Sequence, residues 1–186
     1  MSRRVVGFSG NISRPSKTRN LVEAVTHAVA EKAGFSAETF DIENLGPSFA
    51  VARRIDDLDS AASGIVDRFV SADVIVVGSP TYKGSYTGLF KHFFDLLDPA
   101  ALRGKPVLIT ATGGGEKHAL IVEHQLRPLF GFFEALTLPT AVFASERDFA
   151  DGRLSAEPVR LRAAQAIEQA VHLVSAGPAV RPKVAA

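Results

Sequence analysis

Short apolar runs rich in β-branched residues alternate along this chain with stretches whose apolar positions recur every three to four residues. Residues 4–8 form a first such run, a candidate buried strand ending at Ser9-Gly10. From 18 to 32, Leu21, Val22, Val25, Ala28 and Val29 repeat at the helical period. Residues 35–42 alternate as a second strand, and 58–70 read as a helix. Val74, Ile75, Val76 and Val77 make 73–77 a central strand. A helix follows over 88–97, with Pro99 just beyond its end. The same logic gives a strand over 106–111, a long helix over 118–136, a fifth strand over 137–143 and a last helix over 158–174. The tail from Gly177, with Pro178 and Pro182, carries no periodicity and is expected to fray.

Five strands alternating with five helices predict an α/β fold, built from right-handed βαβ units into a parallel sheet covered on both faces. Sheets of this kind bind ligands outside the carboxyl ends of the strands, where the strand order reverses. That rule directs attention to the loops after Phe8, Val77 and Ala111. No repeat or linker interrupts the body, so residues 1–176 are expected to form one domain and 177–186 a tail.

Composition narrows the chemistry. The chain has 186 residues, enough for one domain with a substantial core. Its 21 basic and 20 acidic residues leave a net charge of +1, which offers no general footprint for nucleic acid or an anionic membrane. The absence of cysteine removes disulfides, thiolate metal sites and thiol nucleophiles. No apolar run approaches the ~18 residues of a membrane span. The opening Met-Ser-Arg-Arg is followed by only Val5, Val6, Gly7 and Phe8, too short for a signal-peptide core, so a cytoplasmic location is expected.

Three loops carry the candidate chemistry. The first, Ser9-Gly10-Asn11-Ile12-Ser13-Arg14-Pro15-Ser16-Lys17-Thr18, brings hydroxyls and small residues to a helix N-terminus, where backbone N–H groups and the helix dipole favour a phosphate. It matches neither the Walker pattern nor the dinucleotide Gly-x-Gly-x-x-Gly pattern. The plain alternative is a serine-rich turn in which Ser16 or Thr18 caps the helix. The second loop, Ser79-Pro80-Thr81-Tyr82-Lys83-Gly84-Ser85-Tyr86-Thr87-Gly88, holds both tyrosines of the chain and suits a planar ring. In the third, Ala111-Thr112-Gly113-Gly114-Gly115-Glu116-Lys117-His118, three glycines allow backbone amides to approach a ligand closely. One such loop is weak evidence. Three at one sheet edge favour a binding site.

These motifs, together with Glu123-His124-Gln125-Leu126-Arg127-Pro128, resemble the NAD(P)H-dependent FMN reductases of the flavodoxin-like superfamily. The likeness runs from about Val5 to Phe149 and looks closest to the reductase components of two-component alkanesulfonate and methanesulfonate monooxygenases. It implies a doubly wound five-stranded parallel sheet of order 2-1-3-4-5. It also implies FMN and NADH or NADPH as cofactors, hydride transfer to flavin N5, and no metal. An FMNH2-dependent monooxygenase would then accept the reduced flavin, and a homodimer or homotetramer is implied. Carried over residue by residue, Ser9, Ser16 and Thr18, with Asn11 and Lys17 beside them, would hold the FMN phosphate. Pro80, Thr81, Tyr82, Lys83 and Ser85 would flank the isoalloxazine, and Thr112, Gly113 and Gly114 its pyrimidine edge, with His118 at the cofactor. The departure is His124, where some sulfonate-system reductases look to carry tyrosine in a helix widened by one residue.

The residues themselves give a reason to expect an irregular helix there. Pro128 has no N–H for the carbonyl of His124, so the ladder breaks within a turn, and a π-bulge is one accommodation. On a regular helical wheel, Val122, Leu126, Leu129, Phe130 and Phe133 share a core-facing side. Ile121 and Phe132 fall outside it, which predicts a self-association surface, with Phe90, Phe93 and Phe94 as a second candidate. Arg14 and Arg19 could meet a 2′-phosphate, but basic residues near a helix start are common, and the choice between NADH and NADPH stays open. Two other readings stay open on residues alone: a flavin-retaining quinone or azo reductase, and a flavodoxin-type electron carrier.

Overall fold

The computed structural model describes residues 3–175. β1 (Arg4–Ser9) leads through the first loop into α1 (Lys17–Ala33), and β2 (Ser36–Asp41) returns beside β1. A 3-10 turn (Ile42–Leu45) and the short α2 (Gly46–Val51) precede α3 (Ser60–Val70). β3 (Val74–Pro80), α4 (Gly88–Asp95) and β4 (Pro106–Gly113) follow, then a π-helical turn (Val122–Leu126) continued by α5 (Arg127–Phe132). β5 (Leu136–Thr137) and β6 (Val142–Ser145) run along β4. A small hairpin, β7 (Phe149–Ala150) with β8 (Arg153–Leu154), precedes α6 (Glu157–Ser175). The sheet is parallel with order β2-β1-β3-β4-β5, and β6 also pairs with β4. The parallel sheet is the one the alternation predicts, and its doubly wound order is the one the resemblance implies.

Two expectations change. The fifth strand is not continuous over 137–143: its two pieces pair with the two ends of β4, Pro106 opposite Leu136 and Thr110 opposite Val142. Pro139 lies between the pieces, and proline cannot donate to a ladder. There the Gln169 side chain substitutes, accepting from Thr140 N at 3.1 Å and donating to Thr140 Oγ1 at 3.0 Å. The single helix expected over 118–136 is instead a 3-10 turn (Glu116–His118), the π-helical turn and α5. The Arg127 N–H reaches back five residues to the Val122 carbonyl, and Pro128 sits in the first turn of α5, where a missing N–H costs nothing. The frayed tail expected from Gly177 lies outside the described residues.

The two faces of the sheet carry separate cores. Under α1 and α6 the packing is aliphatic, with Leu21, Val22, Val25, Val76, Leu108 and Ile167. Under α3, α4 and α5 it is aromatic. Phe8 stacks on Phe93 at 4.1 Å between ring centroids and on Phe90 at 5.9 Å, Phe69 and Phe94 meet Phe93 edge-to-face, and Phe130 meets Phe94 edge-to-face. Phe90, Phe93 and Phe94 are therefore core residues, which corrects their expected place at a subunit surface. Helix α1 lies unusually close to the sheet. A methyl group on Gly7 would come within 2.4 Å of Thr26 Oγ1, and one on Gly78 within 2.4 Å of Val22 Cγ2. That closeness carries the N-terminus of α1 down to the carboxyl ends of β1, β3 and β4.

Candidate functional site

The carboxyl ends of β1, β3, β4 and β6 surround a cleft of about 330 Å³. Its walls are interlocked by short bonds. Thr81 donates both its N–H and its Oγ1 to the Thr112 carbonyl, at 2.7 and 2.8 Å. Thr18 Oγ1 and Thr112 Oγ1, both buried, share a hydrogen bond of 2.6 Å. Gly10 N donates to the Gly78 carbonyl at 2.7 Å, and Thr87 Oγ1 to the Gly10 carbonyl at 2.8 Å. The three loops thus form one connected rim.

Of the residues expected to bind cofactor, Asn11, Ser16, Lys17 and Thr18 line the cleft on one side, and Pro80, Thr81, Tyr82, Thr112, Gly113 and Gly114 on the other. Ser16 is the N-cap of α1, its Oγ accepting from Arg19 N at 3.2 Å, so its own O–H remains a donor. The N–H groups of Lys17 and Thr18 belong to the first turn and have no intrahelical acceptor. Tyr82 is half exposed at the lip.

Four expected residues stand apart from the cleft lining. Ser9 closes β1 between Asp41 of β2 and Gly78 of β3, and its buried Oγ has no hydrogen-bond partner. Lys83 and Gly84 are the turn of a tight hairpin in which Tyr82 N donates to the Ser85 carbonyl at 2.9 Å. Both have positive φ, 53° and 85°, the conformation of a type I′ turn, which points Lys83 to the tip. Ser85 Oγ donates to Gln125 Oε1 at 3.2 Å, so it ties the second loop to the π-helical turn. His118 sits in the 3-10 turn beyond the glycines, half-buried and away from the cleft.

Other lining residues escaped the sequence reading. Ser13 and Pro15 belong to the first loop, whereas Glu146 and Phe149 come from the segment after β6. That segment also follows a strand end, a signal the strand-end rule held but which was applied to three strands only. Lys17 Nζ pairs with Glu146 at 3.0 Å and stands 6.0 Å above the Phe149 ring, so a paired cation spans the mouth.

Beneath the first loop lies a second missed residue, Asp41, whose side chain has no solvent exposure. Arg14 grips it with two bonds, Nε at 2.8 Å and Nη2 at 2.7 Å, and Asn11 Nδ2 adds a third at 3.2 Å. Arg19 Nη1 lies 3.4 Å away. Burial alone would raise the Asp41 pKa, but the hydrogen bonds from Arg14 and Asn11 and the charges of Arg19 and Arg14 outweigh it and hold the carboxyl below its usual range. Arg14 and Arg19 both face this carboxylate.

A second groove, about 520 Å³, runs between α4 and the π-helical turn with α5, lined by Tyr86, Lys91, His124, Gln125, Pro128 and Phe132 among others. Phe132 is 66% exposed, as the wheel predicts. Ile121 is only 5% exposed, contrary to that wheel, because the chain before it is 3-10 and after it π-helical, and a period of ~3.6 does not apply. Glu123 and Arg127 pair across the π-helical turn at 2.5 Å, and Arg127 Nη1 also donates to the Leu138 carbonyl at 2.9 Å.

An FMN group fits these residues on three counts. The orphan N–H groups and hydroxyls at the start of α1 suit a phosphate. Asn11 Oδ1, buried in the cleft lining, still lacks a partner. A Cβ on Gly114 would meet only open space, leaving room for a ring against that backbone.

Comparison with known proteins agrees. The family model described as NADPH-dependent FMN reductase matches residues 3–150. An FMN reductase (NADPH) of Pseudomonas aeruginosa is 41% identical over 170 residues, 91% of each chain. The NADH-dependent FMN reductase SfnE of Pseudomonas putida is 43% identical over 177 residues, 95% of each. Among solved structures, apo NADH:FMN oxidoreductase EmoB superposes with a TM-score of 0.83 at 28% identity, over the full length of both chains. The chain belongs to the NADPH-dependent FMN reductase family, the oxidoreductases on a flavodoxin-like sheet that use NAD(P)H to reduce FMN.

Proposed function

We propose that FMN occupies the cleft at the carboxyl ends of β1, β3 and β4, with its phosphate at the N-terminus of α1. The carrying observation is the convergence of Ser16, Lys17 and Thr18 with Pro80–Tyr82 and Thr112–Gly114 on one cleft. Bound there, flavin supplies the hydride-accepting N5, and the chain needs no nucleophile or strong base of its own. Its residues orient the reactants. Ser16 and the first-turn amides hold the phosphate, and the backbone of Thr112–Gly114 fixes the ring edge. Lys17 exchanges the Glu146 carboxylate for the phosphate. Arg14 and Arg19, engaged by Asp41, are not free to read a 2′-phosphate, so neither sets the choice between NADH and NADPH.

The reduced FMN passes to an FMNH2-dependent monooxygenase, in keeping with the likeness to the Sfn-named reductases. A polar-rimmed cleft open to solvent suits flavin that enters and leaves as a substrate. The chain acts in the cytoplasm, and none of its described helices is long and apolar enough to cross a membrane. Two copies meet through the α5 face carrying Phe132, with His124 near the contact, because an exposed phenylalanine beside an apolar groove favours a covered state.

Purified protein should be nearly colourless, and its NADH or NADPH oxidation should rise with added FMN and saturate. A yellow protein whose turnover ignores added FMN would assign the retained-flavin reading. A flavin-binding protein that oxidises neither nucleotide would assign the electron carrier. Sedimentation should give a dimer or tetramer that Phe132→Glu dissociates; a wild type monomeric at micromolar concentration overturns the assembly.

A further inference from the structure

We propose that Asp41, which is not itself part of the cleft lining, is a positioning residue for recognition of the flavin phosphate. The proposal rests on placing that phosphate at the first loop.

Along that loop, Ser13, Ser16 and Lys17 face the cleft, Arg14 reaches down to Asp41, and Asn11 does both, while Arg19 approaches Asp41 from α1. One buried carboxylate therefore fixes the loop on both sides of Ser13 and also the first turn of the helix. Asn11 spans the two levels, since its Nδ2 bonds Asp41 at 3.2 Å and the Ser13 carbonyl at 3.1 Å. Asp41 is itself held rigidly: its N–H donates to Asn44 Oδ1 at 3.0 Å, its Oδ1 accepts from Asn44 N at 3.3 Å, and Arg14 Nη2 donates to the same Asn44 Oδ1 at 3.1 Å. The carboxylate also offsets one of the two guanidinium charges that converge on it. Without it Arg14 keeps only Glu43, at 3.4 Å, as an ionic partner within reach. The fork geometry of Arg14 on a carboxylate fixes direction as well as distance, which a neutral amide at position 41 cannot reproduce.

The loop's hydroxyls and first-turn amides are thus presented by a contact that a flavin lacking phosphate never needs. In Asp41→Asn the ratio of KM for FMN to KM for riboflavin should rise about tenfold. Arg14→Ala, on a side chain 40% exposed and so tolerant of truncation, should move the same ratio in the same direction, and Arg14→Lys should restore it only partly. A purely structural role for Asp41 would worsen both flavins alike and leave the ratio unchanged, which overturns the proposal. Should Asp41→Asn fail to fold, the Arg14 pair decides, and an unchanged ratio in Arg14→Ala overturns it as well. Ser16→Ala separates the two levels. If it shifts the ratio while the Asp41 and Arg14 variants do not, the positioning role alone fails; if Ser16→Ala leaves the ratio untouched, the phosphate is not at this loop.

Discussion

The two ends of the cleft are built in different ways. At the α1 end a network of short bonds lies below the rim, and Asp41, Asn11, Thr18 and Thr112 are all buried. At the other end Tyr82 flanks a two-residue turn, and beyond it, in the neighbouring groove, α5 presents Phe132, both well exposed. The first end is finished within one chain. The second is joined to its surroundings by few contacts, such as Ser85 to Gln125, and offers apolar surface to something else. A site made this way fixes the anionic part of its ligand firmly and leaves the planar part adjustable, which suits an enzyme that admits two flat reactants in turn.

Breaking the ordered end should have the largest effect. On the proposed placement of the phosphate, Ser16→Ala removes a charge-assisted hydrogen bond worth ~1.5–3 kcal/mol, so FMN affinity should fall tenfold or more in a fluorescence titration, while riboflavin binding stays nearly constant. The neighbouring glycines sharpen the contrast between packed and open backbone. A Cβ at Gly113 comes 3.1 Å from the Phe143 ring, so Gly113→Val should cost about 1–3 kcal/mol of stability in denaturant unfolding. Gly114→Val, which meets no atom within 4 Å, should unfold like the wild type yet impair reductase turnover by narrowing the cleft.

Acid should also act on the ordered end first. Asp41 has a native pKa below its unfolded value of about 3.9, so it stabilises the fold above that pH and loses this contribution as pH falls through the lower native value. Wild type should therefore lose its stability advantage over Asp41→Asn as acid unfolding is followed downward from pH ~5. An advantage that persists to the lowest pH would mean the carboxylate is not ionised in the fold. The smallest effect belongs to the open end: Lys83→Ala, at an exposed turn tip, should change stability by less than ~0.5 kcal/mol and FMN affinity by less than about twofold.

What the sequence made legible follows from the range of the interactions involved. Strands β1, β3 and β4 announce themselves because a buried parallel strand must be apolar throughout, and the cleft follows from where such strands end. The break at Pro128 was equally local, since one missing N–H falls within one turn of its carbonyl. Asp41 could not be found that way. Its partners are 27 and 30 positions away, and only the pairing of β2 with β1 brings them together. Ile121 was misplaced because a helical wheel presumes one period on both sides of a residue. Glu146 and Phe149 were missed for a different reason, because the fifth strand ends two residues later than its apolar run suggested, at Ser145 rather than Phe143.

Gly7 and Gly78 give the cleft an adjustable depth. They act as the thinnest shims available between α1 and the sheet, and the helix rests on them as a beam on two bearings. An alanine at either would lift one part of that beam by a fraction of an ångström, and the bond between Thr18 and Thr112 at its end would lengthen with it. The height at which an anion meets the helix is then a dimension set beneath the sheet's ligand-bearing edge, by side chains that never face the ligand. On the proposed placement of FMN, exchanging residues at these two bearings would retune the clearance between phosphate and ring while leaving every lining residue as it is.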